Sequence, residues 1–234
     1  LATRRLSAVA CRSLSTVITR TPKTTVSSPF TQLKPAPVLT RSRAYFSEAM
    51  PSQYQGNRLV WVDCEMTGLE IDKQTLVEIA VIVTDANLEI VAEGPDIVIN
   101  QNEEVIANMN DWCKETFAKN GLTEKIRASK ISMKEAEDQV LAFLKQHVIE
   151  KKSPLAGNSV YVDRQFITKY MPRVDEYLHY RIIDVSTIKE LSRRWYPSDY
   201  ATAPKKASTH RALDDIRESI DELKHYRATV FKKA

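Results

Sequence analysis

The stretch RLVWVDCE, residues 58–65, decides the fold of this chain because it joins a buried strand to a pair of acids. Its apolar run, Leu59 to Val62, has the valine and tryptophan content that favours a β-strand. Side chains two residues apart in a strand point to the same face, so Asp63 and Glu65 project together, and Cys64 between them is expected to face the core. Neighbouring carboxylates at the end of a buried strand are costly unless a cation or water meets them. Alone, the pair is equally consistent with a solvated strand end.

Strands and helices are predicted outward from this strand by their hydrophobic periodicity and their turn signals. The predicted strands are residues 58–65, 76–85, 88–93, 155–157 and 181–185, and the predicted helices are residues 111–120, 133–148, 162–170, 187–195 and 211–230. Gly121 is expected to stop the first helix, Ser132 and Glu135 to form a capping box, and Ser186 to cap the fourth helix. Residues 196–209 have a loop composition. This order predicts an α/β protein with a mixed sheet, antiparallel over its first three strands and parallel afterwards, with helices on both faces.

The chain of 234 residues, 43% of them hydrophobic, is long enough for one substantial core. Its net charge of +4 is unevenly distributed. Residues 1–47 carry eight basic residues and no acid, so the rest of the chain carries −4. An acidic domain cannot neutralise many phosphates with a long basic track, so any contact with nucleic acid should be short. No stretch approaches the roughly 18–20 apolar residues of a membrane span, and a soluble protein is expected.

The basic segment has the features of an organelle leader. It is rich in Ser and Thr, and Arg4, Val9, Arg12 and Leu14 fit a basic amphipathic helix. The sequence RAYFS at 43–47 resembles a matrix-peptidase processing site. We therefore expect a disordered mitochondrial transit peptide over 1–47, a linker over 48–57 and a catalytic domain over 58–232. A merely disordered basic tail is the alternative, and a further cytosolic or nuclear pool is left open.

Two further motifs bring acids to the ends of elements. A Gly-Asn-Ser turn at 157–159 leads into a helix whose first turn contains Asp163. In the second motif, His210 precedes Asp215 by five positions at a helix start, so the two are too far apart around the helix to act as paired ligands. Each acid alone could complement a helix dipole or be an ordinary solvated residue on an exposed helix. Exposure on a helix explains Asp214 well.

Together, four carboxylates and a histidine match one chemistry. Mg²⁺ and Mn²⁺ prefer carboxylate oxygens, and two such ions about 3.5 to 4 Å apart support in-line cleavage of a phosphodiester. A histidine with an unperturbed pKa near 6.5 suits the general base that takes a proton from water near neutral pH. The two cysteines outside residues 1–47, Cys64 and Cys113, do not have the spacing of a zinc site or of a redox motif.

These motifs resemble the oligoribonucleases of the DEDDh 3′→5′ exonuclease family. The resemblance covers about residues 58–230 and is carried by WVDCEMTGL at 61–69, GNS at 157–159 with Asp163, HYRIIDVST at 179–187 and HRALDDI at 210–216. It implies a ribonuclease H-like fold, two Mg²⁺ or Mn²⁺ ions held by Asp63, Glu65, Asp163 and Asp215, and His210 as general base. It also implies a homodimer and very short single-stranded RNA as substrate, hydrolysed to nucleoside 5′-monophosphates in the final step of RNA degradation.

The resemblance further implies a set of substrate contacts. Leu69 would wedge against the terminal bases and Trp112 would stack on them, unless both are core residues. Ser159, Arg181 and Ser186 would lie near the 5′-phosphate. Tyr180 would reach the substrate of the partner subunit, unless it is an ordinary aromatic at a sheet edge. Where relatives often have a histidine, five positions after Trp112, this chain has Phe117, which puts a polar substrate contact there in doubt.

Two other functions compete with an exoribonuclease. A DNA-directed or broader-range 3′→5′ exonuclease would use the same scaffold, although no polymerase domain or long basic groove accompanies it. A non-catalytic RNA-binding module is disfavoured because all four acids and the histidine are present and no aromatic RNA-binding motif occurs. Turnover across RNA lengths, with and without Mg²⁺, discriminates among the three.

Overall fold

The sheet that organises this chain has five strands within residues 56–205 and 211–232, the part that the computed structural model describes. The strands are β1 (Leu59–Met66), β2 (Leu76–Thr84), β3 (Ile90–Val98), β4 (Pro154–Gly157) and β5 (His179–Asp184). Their order is β3-β2-β1-β4-β5. The β1–β2 and β2–β3 pairs are antiparallel, whereas β1–β4 and β4–β5 are parallel. The predicted mixed sheet is therefore confirmed.

Nine helices are described around the sheet. They are α1 (Glu103–Ala107), α2 (Asp111–Lys119), α3 (Leu122–Ala128), α4 (Met133–His147), α5 (Tyr161–Tyr170), α6 (Pro172–Tyr177), α7 (Val185–Trp195), α8 (Pro197–Ala201) and α9 (Ala212–Thr229). The capping box between Ser132 and Glu135 at the start of α4 is present, as predicted. No helix in the described ranges is both long and apolar enough to cross a bilayer.

Alternate side chains of β1 enter two different cores. Val60, Val62 and Cys64 pack in the cluster that includes residues of α4, α5 and α6. Trp61 faces the opposite cluster, with residues of α7 and α9, and its buried indole donates a hydrogen bond to Thr84 Oγ1 at 2.9 Å. All nine residues of β2 are buried, because helices cover the sheet on both faces. Asp63 and Glu65 share the face of Trp61, so β1 itself directs them towards α9.

A third cluster holds α1, α2 and α3 together at one end of β2. It includes Val77, Ile106, Cys113 and Phe117. Phe117 is fully buried there, so the described structure gives this side chain a packing role and no polar one.

Some predicted boundaries are wrong. The strand predicted at 88–93 is β3, which begins at Ile90 and continues past Pro95 to Val98. Proline is tolerated there because β3 lies at the edge of the sheet, where its missing N–H costs no ladder hydrogen bond. Ser186 does not cap α7, since Asp184 is the N-cap and its Oδ1 accepts from Ser186 N at 2.9 Å. The predicted loop at 196–209 contains α8, which begins at Pro197 because proline is favoured in a first helical turn. The short helices α1, α3 and α6 were also not predicted.

The domain limits inferred from the sequence remain predictions. The transit peptide predicted over 1–47 lies outside the described residues, as does most of the linker predicted over 48–57. The predicted catalytic domain, 58–232, contains all the strands and helices described above.

Candidate active site

Three carboxylates meet where β1 ends. Asp63 and Glu65 project from β1, and Asp215 comes from the first turn of α9. One oxygen of each lies within 4.8 Å of the others, although Asp215 follows Glu65 by 150 positions in the chain. This arrangement arises because the α9 face that contains Ile216 and Ile220 packs on the side of β1 from which both acids project.

Asp163 contacts β1 from α5. It lies in the first turn of α5, is buried, and its Oδ1 accepts a hydrogen bond from Cys64 N at 2.9 Å. The backbone between Asp63 and Glu65 is thus held directly by the fourth predicted acid. The structure places all four predicted metal ligands at the end of one strand.

Burial raises the proton affinity of two of these acids, Glu65 and Asp163. Burial, followed by the negative charges of Glu78, Asp215 and Asp163, raises the pKa of Glu65 to about 8. Burial also raises the pKa of Asp163 to about 7, although the hydrogen bond from Cys64 N opposes that rise. Such shifts mean that the ionised site needs a compensating positive charge. An oxygen-only donor set of carboxylates is compatible with a hard divalent cation.

A further carboxylate, Glu78, was missed in the sequence. It is fully buried in β2 directly opposite Glu65 and accepts from the guanidinium of Arg211, with Nη2 to Oε1 at 2.6 Å and Nε to Oε1 at 3.2 Å. Arg211 is the N-cap residue of α9, so this ion pair fastens the start of the helix that contains Asp215. An acid inside the apolar strand LVEIAVIVT was the available signal, because a buried charge requires a partner. His210, the predicted general base, precedes Arg211 and lies outside the described residues.

Leu69 and Trp112 lie on the surface, 71% and 54% exposed, so the alternative that they are core residues is wrong. The loop of Leu69 is tied to the start of α2: Asn110 N donates to Thr67 O at 3.0 Å, and the Asn110 side chain caps the helix. Gly68, between Thr67 and Leu69, has a φ of 154°. Two exposed apolar side chains are thereby presented from one tied unit of loop and helix.

Ser159, in the turn after β4, and Ser186, in the first turn of α7, form a polar pair. Ser159 has a left-handed backbone, φ 51°, and its N–H donates to Asp184 Oδ1 at 2.9 Å and to Ser186 Oγ at 2.8 Å. The two hydroxyl oxygens are 3.1 Å apart. Tyr180 and Arg181 are exposed on the edge strand β5, where the guanidinium lies 5.4 Å from the centre of the tyrosine ring.

Comparison with known proteins gives a consistent assignment. The profile of the exonuclease family RNase_T matches residues 60–223. A probable oligoribonuclease of Caenorhabditis elegans is 61% identical over 177 residues, which are 76% of this chain and 91% of that protein. The human mitochondrial oligoribonuclease is 54% identical over 75% of this chain and 74% of its own length.

Solved structures agree in fold. The zinc-bound form of an E. coli exonuclease I complex with single-stranded DNA matches with a TM-score of 0.60 and 12% identity, over 74% of this chain and 41% of that one. Exonuclease I from Methylocaldum szegediense matches with a TM-score of 0.55 and 15% identity, over 74% and 41% of the two chains. At these identities the likeness concerns the ribonuclease H-like architecture alone.

Proposed function

This chain belongs to the exonuclease family, among the oligoribonucleases, and on that premise we propose that it hydrolyses very short single-stranded RNA from the 3′ end to nucleoside 5′-monophosphates. The observation that carries the proposal is the meeting of Asp63, Glu65 and Asp215 within 4.8 Å beside the buried Asp163. Such a cluster of acids serves phosphodiester hydrolysis, and it has no evident use in a module that only binds RNA.

The four carboxylates would hold two divalent ions, Mg²⁺ or Mn²⁺. When bound, such ions supply Lewis-acid stabilisation of the phosphoryl oxygens and a lowered pKa for water. Asp163, hydrogen-bonded to Cys64 N, keeps one oxygen committed to the backbone and so has a fixed orientation. His210 is assigned the general base, which accepts the proton of the attacking water.

The substrate contacts are assigned to three groups of residues. Leu69 and Trp112, both exposed, would contact the bases near the scissile phosphate. Ser159 and Ser186, with Arg181, would receive the 5′-phosphate, since hydroxyls and a guanidinium are donors suited to that anion. Tyr180, 73% exposed on an edge strand, would contact the substrate of a second subunit in a homodimer.

Short RNA is favoured by the charge of the domain. Outside residues 1–47 the chain has a formal charge of −4, so affinity cannot come from a long basic track. A site with cations at one end and donors for a terminal phosphate at the other selects by length.

The proposed location is the mitochondrial matrix. The basic, acid-free segment 1–47 supports import, and the human and mouse relatives are mitochondrial oligoribonucleases. A fluorescent protein fused behind residues 1–47 should enter mitochondria, and a cytosolic fusion would contradict this location.

Turnover measured on RNAs of two nucleotides and upward tests the function. We expect kcat/KM to be highest on the shortest RNAs and activity to vanish in EDTA and return with Mg²⁺ or Mn²⁺. DNA oligomers of the same lengths are the comparison. A rate that rises steadily with RNA length, or equal rates on DNA, would contradict the proposal.

A further inference from the structure

A partly buried chain of hydrogen bonds connects α9 to the turn of Ser159. Ser219, one helical turn after Asp215, donates from its Oγ to Asp215 O at 2.7 Å and accepts from Asn158 Nδ2 at 2.7 Å. Asn158 Oδ1 accepts from Ser186 Oγ at 3.1 Å. Ser186 Oγ in turn accepts from Ser159 N at 2.8 Å. The metal-site helix and the serine pair are therefore linked through one amide side chain, that of Asn158.

The orientation of the Asn158 amide is dictated by a buried acid. Glu222, 2% exposed, accepts from Asn158 Nδ2 at 3.2 Å through Oε2, and its Oε1 lies 3.0 Å from Lys189 Nζ. Tyr226 also donates to Oε1, at 3.2 Å. Because an ionised carboxylate only accepts, the amide nitrogen must face Glu222 and the amide oxygen must face Ser186.

This orientation fixes the protons of both serines. The single hydroxyl proton of Ser186 is donated to Asn158 Oδ1, so Ser186 Oγ can only accept in its contact with Ser159 Oγ. The Ser159 hydroxyl is therefore the donor of the pair. By rotating, it can donate its proton to an anion instead. The network thus prepares one donor, on a residue whose left-handed backbone needs support from its neighbours.

We propose that Asn158 is a positioning residue that sets the spacing between the metal-binding carboxylates and the 5′-phosphate site at Ser159 and Ser186. The inference rests on the proposed function and deepens it. The spacing determines how many nucleotides fit between the phosphodiester that is cut and the terminal phosphate that is held. Asn158 is thereby a determinant of substrate length, although it need not touch the RNA.

The test compares three full-length variants on three substrates. Asn158→Ala removes the amide that joins α9 to the serine pair. Ser219→Ala is a smaller change that removes the shorter of the two hydrogen bonds between Asn158 and α9 and leaves the one to Glu222. Tyr226→Phe removes a hydrogen bond to Glu222 that does not involve Asn158. The substrates are a 5′-phosphorylated dinucleotide, the same dinucleotide with a 5′-hydroxyl, and a 5′-phosphorylated hexanucleotide. The readouts are kcat/KM and the thermal midpoint of each variant.

In Asn158→Ala and Ser219→Ala we expect the preference for the phosphorylated dinucleotide over both other substrates to fall about tenfold, the effect of losing one well-placed hydrogen bond. Tyr226→Phe should keep the wild-type preference. Equal losses on all three substrates, or unchanged preference in both alanine variants, would overturn the inference. If the wild type discriminates and the variants do so equally, only the inference falls; if the wild type hydrolyses none of them, the proposed function falls as well.

Discussion

Glu65 is the residue at which fold and chemistry meet. It is 8% exposed and its strand partner is the buried Glu78. Burial, followed by the charges of Glu78 and of two further acids, raises its pKa to about 8. The Arg211 guanidinium, bonded to Glu78, lowers the pKa of Glu65. A folded protein tolerates such a position where a bound cation repays the cost of burying the charge.

Removing the charge of any one proposed ligand should abolish hydrolysis. Asp63→Asn, Glu65→Gln, Asp163→Asn and Asp215→Asn each delete an anionic ligand at almost constant volume, so we expect losses on the order of 100-fold or more in kcat with the fold retained. Asp214→Asn, one position from Asp215 and exposed, is the matched control and should remain active. Rates near wild type in any two ligand variants would contradict the metal assignment.

His210 should be separable from the ligands by kinetics. Because a general base acts in the chemical step, His210→Ala should lower kcat about 100- to 10,000-fold and leave the dissociation constant for RNA almost unchanged. Binding of a non-hydrolysable dinucleotide in the presence of metal gives that constant. A large loss of binding with normal turnover of bound substrate would assign His210 another role.

The pKa of Glu65 predicts how the metal-free protein responds to pH. A carboxyl whose folded pKa lies above its ordinary value of 4.5 contributes stability that is fully present below about pH 4.5 and is lost as pH rises through about 8. In EDTA, Glu65→Gln should therefore gain thermal stability over the wild type as pH rises from about 5.5 to 8. Added Mg²⁺ should reverse the difference at the higher pH. A difference between the two proteins that does not vary with pH would contradict the expectation.

At the scale of elements, the β1–β2 loop and α2 act as a unit. Thr67 O accepts from Asn110 N, and Thr67 Oγ1 donates to Gln74 Oε1 at 2.5 Å, so both ends of the loop around Leu69 are anchored. Trp112 stands in the first turn of the helix that Asn110 caps. A rigid apolar pair costs less ordering on binding than two mobile side chains.

Gly68→Ala should disturb this unit. A Cβ there would lie 3.0 Å from both Asn110 Nδ2 and Gln74 Cδ, on a backbone that side chains rarely adopt. We expect KM for a dinucleotide to rise about tenfold, with a smaller change in kcat, because the metal ligands are on other elements. Gly56→Ala, where a Cβ meets nothing within 4 Å, is the control. An unchanged KM would separate the loop from substrate binding.

At the scale of the whole molecule, the charge of the domain and the proposed homodimer would determine how substrate is held. The mildly acidic domain leaves binding to local contacts, and β5 exposes Tyr180 at an unpaired edge of the described sheet. If the tyrosine acts across a homodimer, each site is complete only when two subunits associate.

Mixing variants tests that assembly. Tyr180→Ala and Asp163→Asn should each be impaired alone, whereas a heterodimer has one site with intact acids and a borrowed tyrosine. After verified subunit exchange in equal amounts, about a quarter of wild-type activity should return, since half of the dimers would be mixed and each has one competent site. A monomer by light scattering, or no recovery on mixing, would contradict a shared site.

For β1 and for the start of α4 the sequence was sufficient. Alternation in 58–65 placed β1 and directed Asp63 and Glu65 to one face, and the Ser132–Glu135 pair marked the start of α4, because strand periodicity and capping depend on residues a few positions apart. Motif spacing likewise selected the acids that the fold brings together. The short helices α1, α3, α6 and α8 were missed because five to seven residues hold too few periods and rely on packing for stability.

Only the tertiary structure decided which distant residues share an environment. The bond from Cys64 to Asp163 spans 99 positions, and the Glu78–Arg211 ion pair spans 133. Asn158 reaches Glu222 across 64 positions. No local pattern encodes these partners, because they follow from the strand order and from which faces α5, α7 and α9 bury. The sequence alone predicted the longer elements and the candidate reacting groups. Packing determined the burial that raises the pKa of Glu65 and the network that orients Asn158.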